Sequence, residues 1–376
     1  MDSWVRIFST INLAGAIHAL IQALLLLLAK RGNRRANRIM AALLSVFALG
    51  MANGFSDILG LYEKWPFLAI LMGPLILAYG PLFYFYVKAM ALKSFRWKPS
   101  FVLHGLPFLI GALSYGAFWL SIKGGPGRTG ILAFFNQNIK YIWVLITMAA
   151  IVQTVVYAIL IVSLLREYSK KIKATYSTID RINLAWLRQR LIVYLTIWAV
   201  VLVIIVMAGG QSIKLAAQIA FFLVALNTFS IGYRATLQPQ ALYGPFEEKQ
   251  AARYERSTLT PENSKLYKSL LLEVMEREKP FLDPEITLPK LAERLSIPLA
   301  HLSRVINERL GNNFYEFINH YRVQDAQRRL ALPESKQQKL IAVALDCGFN
   351  SVATFNREFK ELTGRTPSEY RKNPTD

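Results

Sequence analysis

Apolar residues are distributed unevenly along this chain. Up to about residue 240 they come in long runs separated by short basic segments; beyond it they recur every three or four positions, as on helices with one buried face. A helix needs about 20 mostly apolar residues to cross the hydrocarbon core of a bilayer. Seven stretches meet or approach that length, at 7–29, 39–61, 67–87, 101–122, 141–165, 191–207 and 215–233. The pattern predicts an all-α protein in three parts: a seven-helix transmembrane domain over 1–244, a linker helix within 245–286, and a compact helical domain over 287–372.

Charge sharpens this division. The chain of 376 residues has a net charge of +20. Residues 1–244 hold 23 basic and 5 acidic residues, and the remainder holds 21 and 19, so nearly all of the excess lies in the apolar part. There the basic residues sort to one side. The loops after the first, third and fifth runs and the end of the seventh carry seventeen Lys and Arg; the other loops carry six. By the positive-inside bias, the N-terminus is expected outside and the C-terminal domain in the cytoplasm. The first run is too long for a signal peptide and its basic cluster follows it, so it is expected to remain as an anchor in the cell membrane. The only cysteine, Cys347, excludes an intrachain disulfide and gives no hint of a metal site.

In the linker, Thr260, Pro261 and Glu262 read as a helix start, with Leu266, Leu270, Val274 and Met275 on its apolar face and Pro280 at its end. Thr287 then caps a short helix bearing Leu288, Leu291, Ala292 and Leu295. After a turn at 296–298, a second helix carries Leu302, Val305, Ile306 and Leu310 and stops at Gly311. Helix, tight turn and helix recur further on, with Leu340, Val343 and Ala344, a turn at Cys347, Gly348 and Phe349, a cap at Asn350, then Phe355 and Phe359 before Gly364. Leu302, Arg304, Gly311, Glu316 and Phe317 map onto Phe355, Arg357, Gly364, Glu369 and Tyr370 at one offset of 53, and the second turn is one residue longer. Thr366 and Glu369 form a capping box with Pro367 at the first helical position.

Residues 285–372 resemble the AraC/XylS transcription regulators. The resemblance rests on Gly348-Phe349-Asn350-Ser351, Phe355, Arg357, Phe359-Lys360, Thr363-Gly364 and Thr366-Pro367-Ser368-Glu369-Tyr370-Arg371, with Leu291-Ala292, Leu302-Ser303-Arg304, Gly311, Tyr321-Arg322 and Ala326 in the first half. Pro298 stands where that family usually has serine, and Ile306 where phenylalanine is common. The resemblance implies a tandem helix-turn-helix domain whose two recognition helices enter the major groove about one helical turn apart. Its groove-facing positions would be Ala300, His301, Ser303 and Arg304 in the first unit, and Val352, Ala353, Asn356 and Arg357 in the second. The arginines suit guanine, Asn356 adenine, and Ala300 or Val352 a thymine methyl. The expected partner is promoter DNA, and the resemblance implies activation through RNA polymerase. From 287 to 372 the net charge is only +5, so binding should depend on placed contacts or on a second copy of the chain.

Polar residues within spans mark function or helix–helix hydrogen bonding. His18, Gln22, Asn53, Asp57, His104, Gln153, Gln218 and Asn227 are such residues; Asn53 and Asp57 share a face and, with Asn136 and Asn138, could form a sensor pocket open to the outside. Residues 125–130 match a dinucleotide fingerprint literally but lack a preceding strand, so no nucleotide site is expected there. Neither catalytic constellation nor cofactor site is evident. The chain thus reads as a non-enzymatic, membrane-bound regulator that couples an external or membrane-borne cue to promoter binding. Two other readings stay open: a transporter or channel with a regulatory tail, and a regulator that is only anchored.

Overall fold

The structure is a computed structural model and describes residues 2–29, 33–65, 67–92, 95, 98–123, 131–207, 213–237 and 259–374. The chain separates into two compact units, one formed by Met1–Arg166 and Leu184–Ala241, the other by Glu167–Asn183 and Leu242–Asp376. Among the described residues there is no strand, only an isolated bridge between Tyr176 and Thr287.

The described residues of the first unit form short helices at Leu61–Lys64 and Phe67–Met72 and a 3-10 turn at Gly73–Leu75, which break the expected 67–87 span, and a set of longer helices. The longer helices are α1 (Asp2–Leu28), α2 (Arg34–Ile58), α3 (Ile76–Ala91), α4 (Leu106–Lys123), α5 (Ile131–Thr175), α6 (Ala185–Met207) and α7 (Ile213–Leu237); the end of α5, from Glu167, belongs to the second unit. Among the described residues, five helices are long and apolar enough to cross a membrane. Their outward faces are apolar as well. Leu20, Leu24 and Leu27 of α1, Val152, Val155 and Ile159 of α5, and Leu202 and Val203 of α6 are all exposed. Such contiguous apolar surface is an aggregation hazard in water and ordinary in lipid.

Most of the polar side chains in these helices serve packing. Asn12 donates from Nδ2 to the main-chain oxygen and Oε1 of Gln218, at 3.1 and 2.9 Å. Gln22 donates to the Phe229 carbonyl at 3.3 Å, Gln153 to that of Leu77 at 2.9 Å and Asn227 to that of Arg190 at 3.4 Å. His104 Nδ1 lies 2.5 Å from the Tyr157 hydroxyl. These bonds join one helix to another. A cavity among Phe47, Tyr79, Tyr157, Arg190, Tyr194 and Asn227 offers about 40 Å³. That suits a few waters and falls far below the roughly 300 Å³ of even a small ligand pocket. Asn53 is half-buried, but the side chains of Asp57, Asn136 and Asn138 lie outside the described residues, as does the 125–130 loop.

The second unit is built on α8 (Pro261–Arg277), α9 (Leu288–Arg294), α10 (Leu299–Arg304), α11 (Phe314–Ala331), α12 (Leu340–Asp346), α13 (Val352–Thr363) and α14 (Pro367–Lys372). Thr260 caps α8 by accepting from the Asn263 amide, with Pro261 behind it. Leu271, Val274 and Met275 of α8 join the core of the first helix-turn-helix, with Leu291, Leu302, Val305 and Ile306. Leu266, expected on that apolar face, is exposed: the helix turns Ser264 inward instead, where its hydroxyl accepts from Arg309. Val323, Ala326, Val343, Ala344, Phe349, Phe355 and Phe359 form the second core.

Candidate nucleic-acid interface

The internal repeat is visible in the turns. In the first unit, Ser296 N–H donates to Glu293 O and Ile297 N–H to Ala292 O, both at 3.0 Å; in the second, Gly348 N–H donates to Leu345 O and Phe349 N–H to Ala344 O, both at 2.9 Å. The left-handed position falls on Ser296 (φ 52) and Gly348 (φ 85). Serine is strained there, and its side chain is exposed. At 348 a Cβ would meet the Phe281 carbonyl at 2.5 Å and that of Leu282 at 2.9 Å, so only glycine fits.

The recognition helices differ in construction. Pro298 caps α10 without a side-chain hydrogen bond, and after Arg304 the helix widens into a π turn over Val305–Arg309 before Gly311 at φ 70. The helix α13 has a full set of end signals. Its cap is Ser351, not Asn350 as the sequence suggested: the Ser351 hydroxyl accepts from the Thr354 amide at 3.2 Å, while Asn350 is exposed in the turn. Gly364 ends it at φ 76. Capping boxes start α11, at Asn313 and Glu316, and α14, at Thr366 and Glu369.

The expected reading residues do not share one environment. Arg304 is exposed and paired with Glu308, Nε to Oε1 at 3.1 Å and Nη2 to Oε2 at 3.3 Å. Ser303 is half-buried and accepts from Asn307, and Ala300 is half-buried. His301 departs from the expectation: it is 6% exposed, with its ring stacked on Tyr267 of α8 at 5.9 Å. It is a joint between linker helix and recognition helix, with most of its surface covered. In the second unit Ala353 and Asn356 are exposed and Val352 is half-buried. Arg357 is half-exposed but tethered, donating from Nε to Glu358 at 3.0 Å and from Nη2 to the Tyr315 hydroxyl at 2.9 Å. Tyr315 in turn donates to Glu358 at 2.9 Å.

Arg322 carries a role that neither periodicity nor motif revealed. It is 1% exposed. Its Nε donates to Phe281 O at 2.8 Å and Nη2 to Asp283 O at 2.9 Å and Ser177 Oγ at 3.2 Å, while Nη1 reaches Ser177 O at 3.3 Å. Burial pushes its pKa down to about 10, so the guanidinium stays charged at neutral pH. One side chain thus ties the linker, the long helix α11 and the 177–178 turn together. The second unit includes Glu167–Asn183, the end of α5 and the turn that leads to α6, through several such bonds: Ser177 also donates to Ile286 O at 2.7 Å, Thr178 to Pro284 O at 2.8 Å, and Lys173 lies 5.4 Å from the Tyr315 ring centre.

Comparison with known proteins agrees with this architecture. Residues 291–373 match a family model described as a helix-turn-helix domain. An uncharacterized HTH-type transcriptional regulator of Staphylococcus aureus (strain COL) is 34% identical over 87 residues, which is 23% of this chain and 11% of that protein. An HTH-type transcriptional regulator of Mycobacterium tuberculosis (strain ATCC 25618 / H37Rv) is 30% identical over 83 residues, 22% of this chain and 31% of that protein. The chain therefore spans a third or less of the length of these relatives. No solved structure matches the chain. The C-terminal domain is of the AraC-type helix-turn-helix class.

Proposed function

We propose that this chain is a membrane-held, sequence-specific transcription regulator. Helices α1 to α7 lie in the cell membrane with the N-terminus outside, and the C-terminal domain reads promoter DNA from the cytoplasmic side. Arg304, Ser303 and Ala300 of α10 and Val352, Ala353, Asn356 and Arg357 of α13 face the major groove. Lipid surrounds α1 to α7. RNA polymerase and a second copy of the chain are the protein partners that the AraC/XylS resemblance suggests. The polar group at Asn53, Asp57, Asn136 and Asn138 is the proposed place for an external cue.

The main support is the 167–183 segment. It links two apolar helices and belongs to the same compact unit as the helix-turn-helix pair. A segment packed on the DNA-binding domain must share its side of the membrane, and the basic character of that segment points to the same cytoplasmic side. A change in span packing then has a covalent route to the DNA-binding domain. The cue acts only insofar as it favours one arrangement over the other.

Two measurements test this reading. In a Cys347→Ser background, an impermeant thiol reagent should label Gly125→Cys in intact cells and Ala174→Cys only after permeabilisation; the reverse would overturn the topology. Selection from random DNA by the detergent-solubilised full chain should return two conserved blocks centred about 10 base pairs apart. Recovery of unselected sequence would remove the reading function.

A further inference from the structure

The second recognition helix is already occupied at its N-terminus, by a residue of the turn that joins α5 to α6. Asp180 Oδ2 accepts from the Ser351 hydroxyl at 3.0 Å and Oδ1 from the Thr354 hydroxyl at 2.5 Å. Thr354 is 6% exposed beneath it. The amide end of a helix, with its partial positive charge and flanking hydroxyls, is a site for an anion. Here the anion is a carboxylate, and it is held in place: the turn carrying Asp180 is pinned by Ser177 and Thr178 to residues 284–286 and by Arg322.

In a helix-turn-helix the N-terminal residues of the recognition helix approach the base edges, with phosphates close beside them. The geometry points to Asp180 as a tethered phosphate surrogate: it fills the site that Ser351, Thr354 and the first amides of α13 would give to a DNA backbone phosphate, and docking of the 167–183 segment and of DNA on the second unit exclude each other. This inference rests on the DNA-reading function proposed above. Two anions cannot share the site at close range without strong repulsion. The same segment reaches the reading residue indirectly. Lys173 lies over the Tyr315 ring, and the Tyr315 hydroxyl accepts from Arg357, which holds that guanidinium against α11 and Glu358. Release of the segment would free both the phosphate site and Arg357. The membrane part would thereby act on DNA affinity through a steric and electrostatic clamp, and by reciprocity DNA would loosen the segment.

The test uses the full chain in detergent and the DNA it selects. Asp180→Ala should bind that DNA about tenfold more tightly than wild type, equivalent to about 1.4 kcal/mol. Added DNA should also speed tryptic cleavage after Arg181 in the wild type. Thiol labelling of Cys347 should be the same in both proteins, which shows that the domain remains folded. Unchanged or weaker binding by Asp180→Ala, with wild-type binding that is lost in Arg304→Ala/Arg357→Ala, would overturn the clamp and leave DNA reading intact. If no form of the chain binds DNA above the level of that double variant, the clamp and the reading function fall together.

Discussion

Arg322→Met keeps the bulk of the side chain and removes its donors. In the native protein the guanidinium satisfies the carbonyls of Phe281 and Asp283 at 2.8 and 2.9 Å, with weaker bonds to Ser177 at 3.2 and 3.3 Å. A hydrogen bond to a charged group contributes about 1.5–3 kcal/mol, and an acceptor left buried without a donor costs about 1–3 kcal/mol. Relief from burying the charge offsets part of this, which leaves a net loss of about 3 kcal/mol. The chain contains its own reporter. Cys347 is the only cysteine, it is 0% exposed, and it lies in the core of the second helix-turn-helix. Its rate of labelling in the intact protein therefore follows opening of that unit. At about 1.4 kcal/mol per tenfold, the substitution should raise labelling roughly 150-fold. Arg322→Lys, a point charge that cannot serve carbonyls on several sides, should fall between the two. Labelling of Arg322→Met within about threefold of wild type, or less than about 0.7 kcal/mol, would refute the role of Arg322 as the tie between these segments.

Other outcomes follow from the same structure. Burial pushes the Cys347 thiol up to about 12; at pH 9, where a free thiol with pKa about 8.5 is mostly thiolate, native Cys347 should stay unreactive, and prompt labelling there would contradict its burial. Phe355→Ala empties a fully buried site and should cost about 3–5 kcal/mol, measured by denaturant-dependent labelling of the same thiol. Gly364→Ala meets no atom within 4 Å but must hold φ at 76, so the loss should come from backbone strain alone, about 1 kcal/mol in that assay. Arg357→Ala should weaken binding to selected DNA by about 1–3 kcal/mol and relax preference at one position; an even loss across sequences would make it a phosphate contact.

Much of this architecture is written in local pattern, and local pattern is what sequence conveys. Helix ends at Thr260, Thr287, Gly364 and Thr366 use short-range hydrogen bonds or glycine backbone freedom, and the two cores use helical spacing, so they were legible. Sequence and structure diverge where two local solutions compete. Asn350 and Ser351 can both cap a helix, and the register of α13 decides for Ser351. Leu266 has the spacing of a core residue, yet α8 presents Ser264 to Arg309. His301 sits at a groove-facing position of the family pattern, but Tyr267 from the linker covers it. The attachment of 167–183 was hidden for a different reason. It depends on main-chain carbonyls at 284 and 286 and on one aspartate in a basic segment, none of which leaves a periodic trace.

The central claim, that a membrane-held chain reads promoters, is tested most directly by mapping DNA crosslinked to the full-length protein in the membrane fraction of intact cells, beside the Arg304→Ala/Arg357→Ala variant. Discrete sites sharing the two-block motif, lost in the variant, are the predicted result. Recovery of the protein from the soluble fraction, or crosslinks that are the same in both proteins, would contradict it.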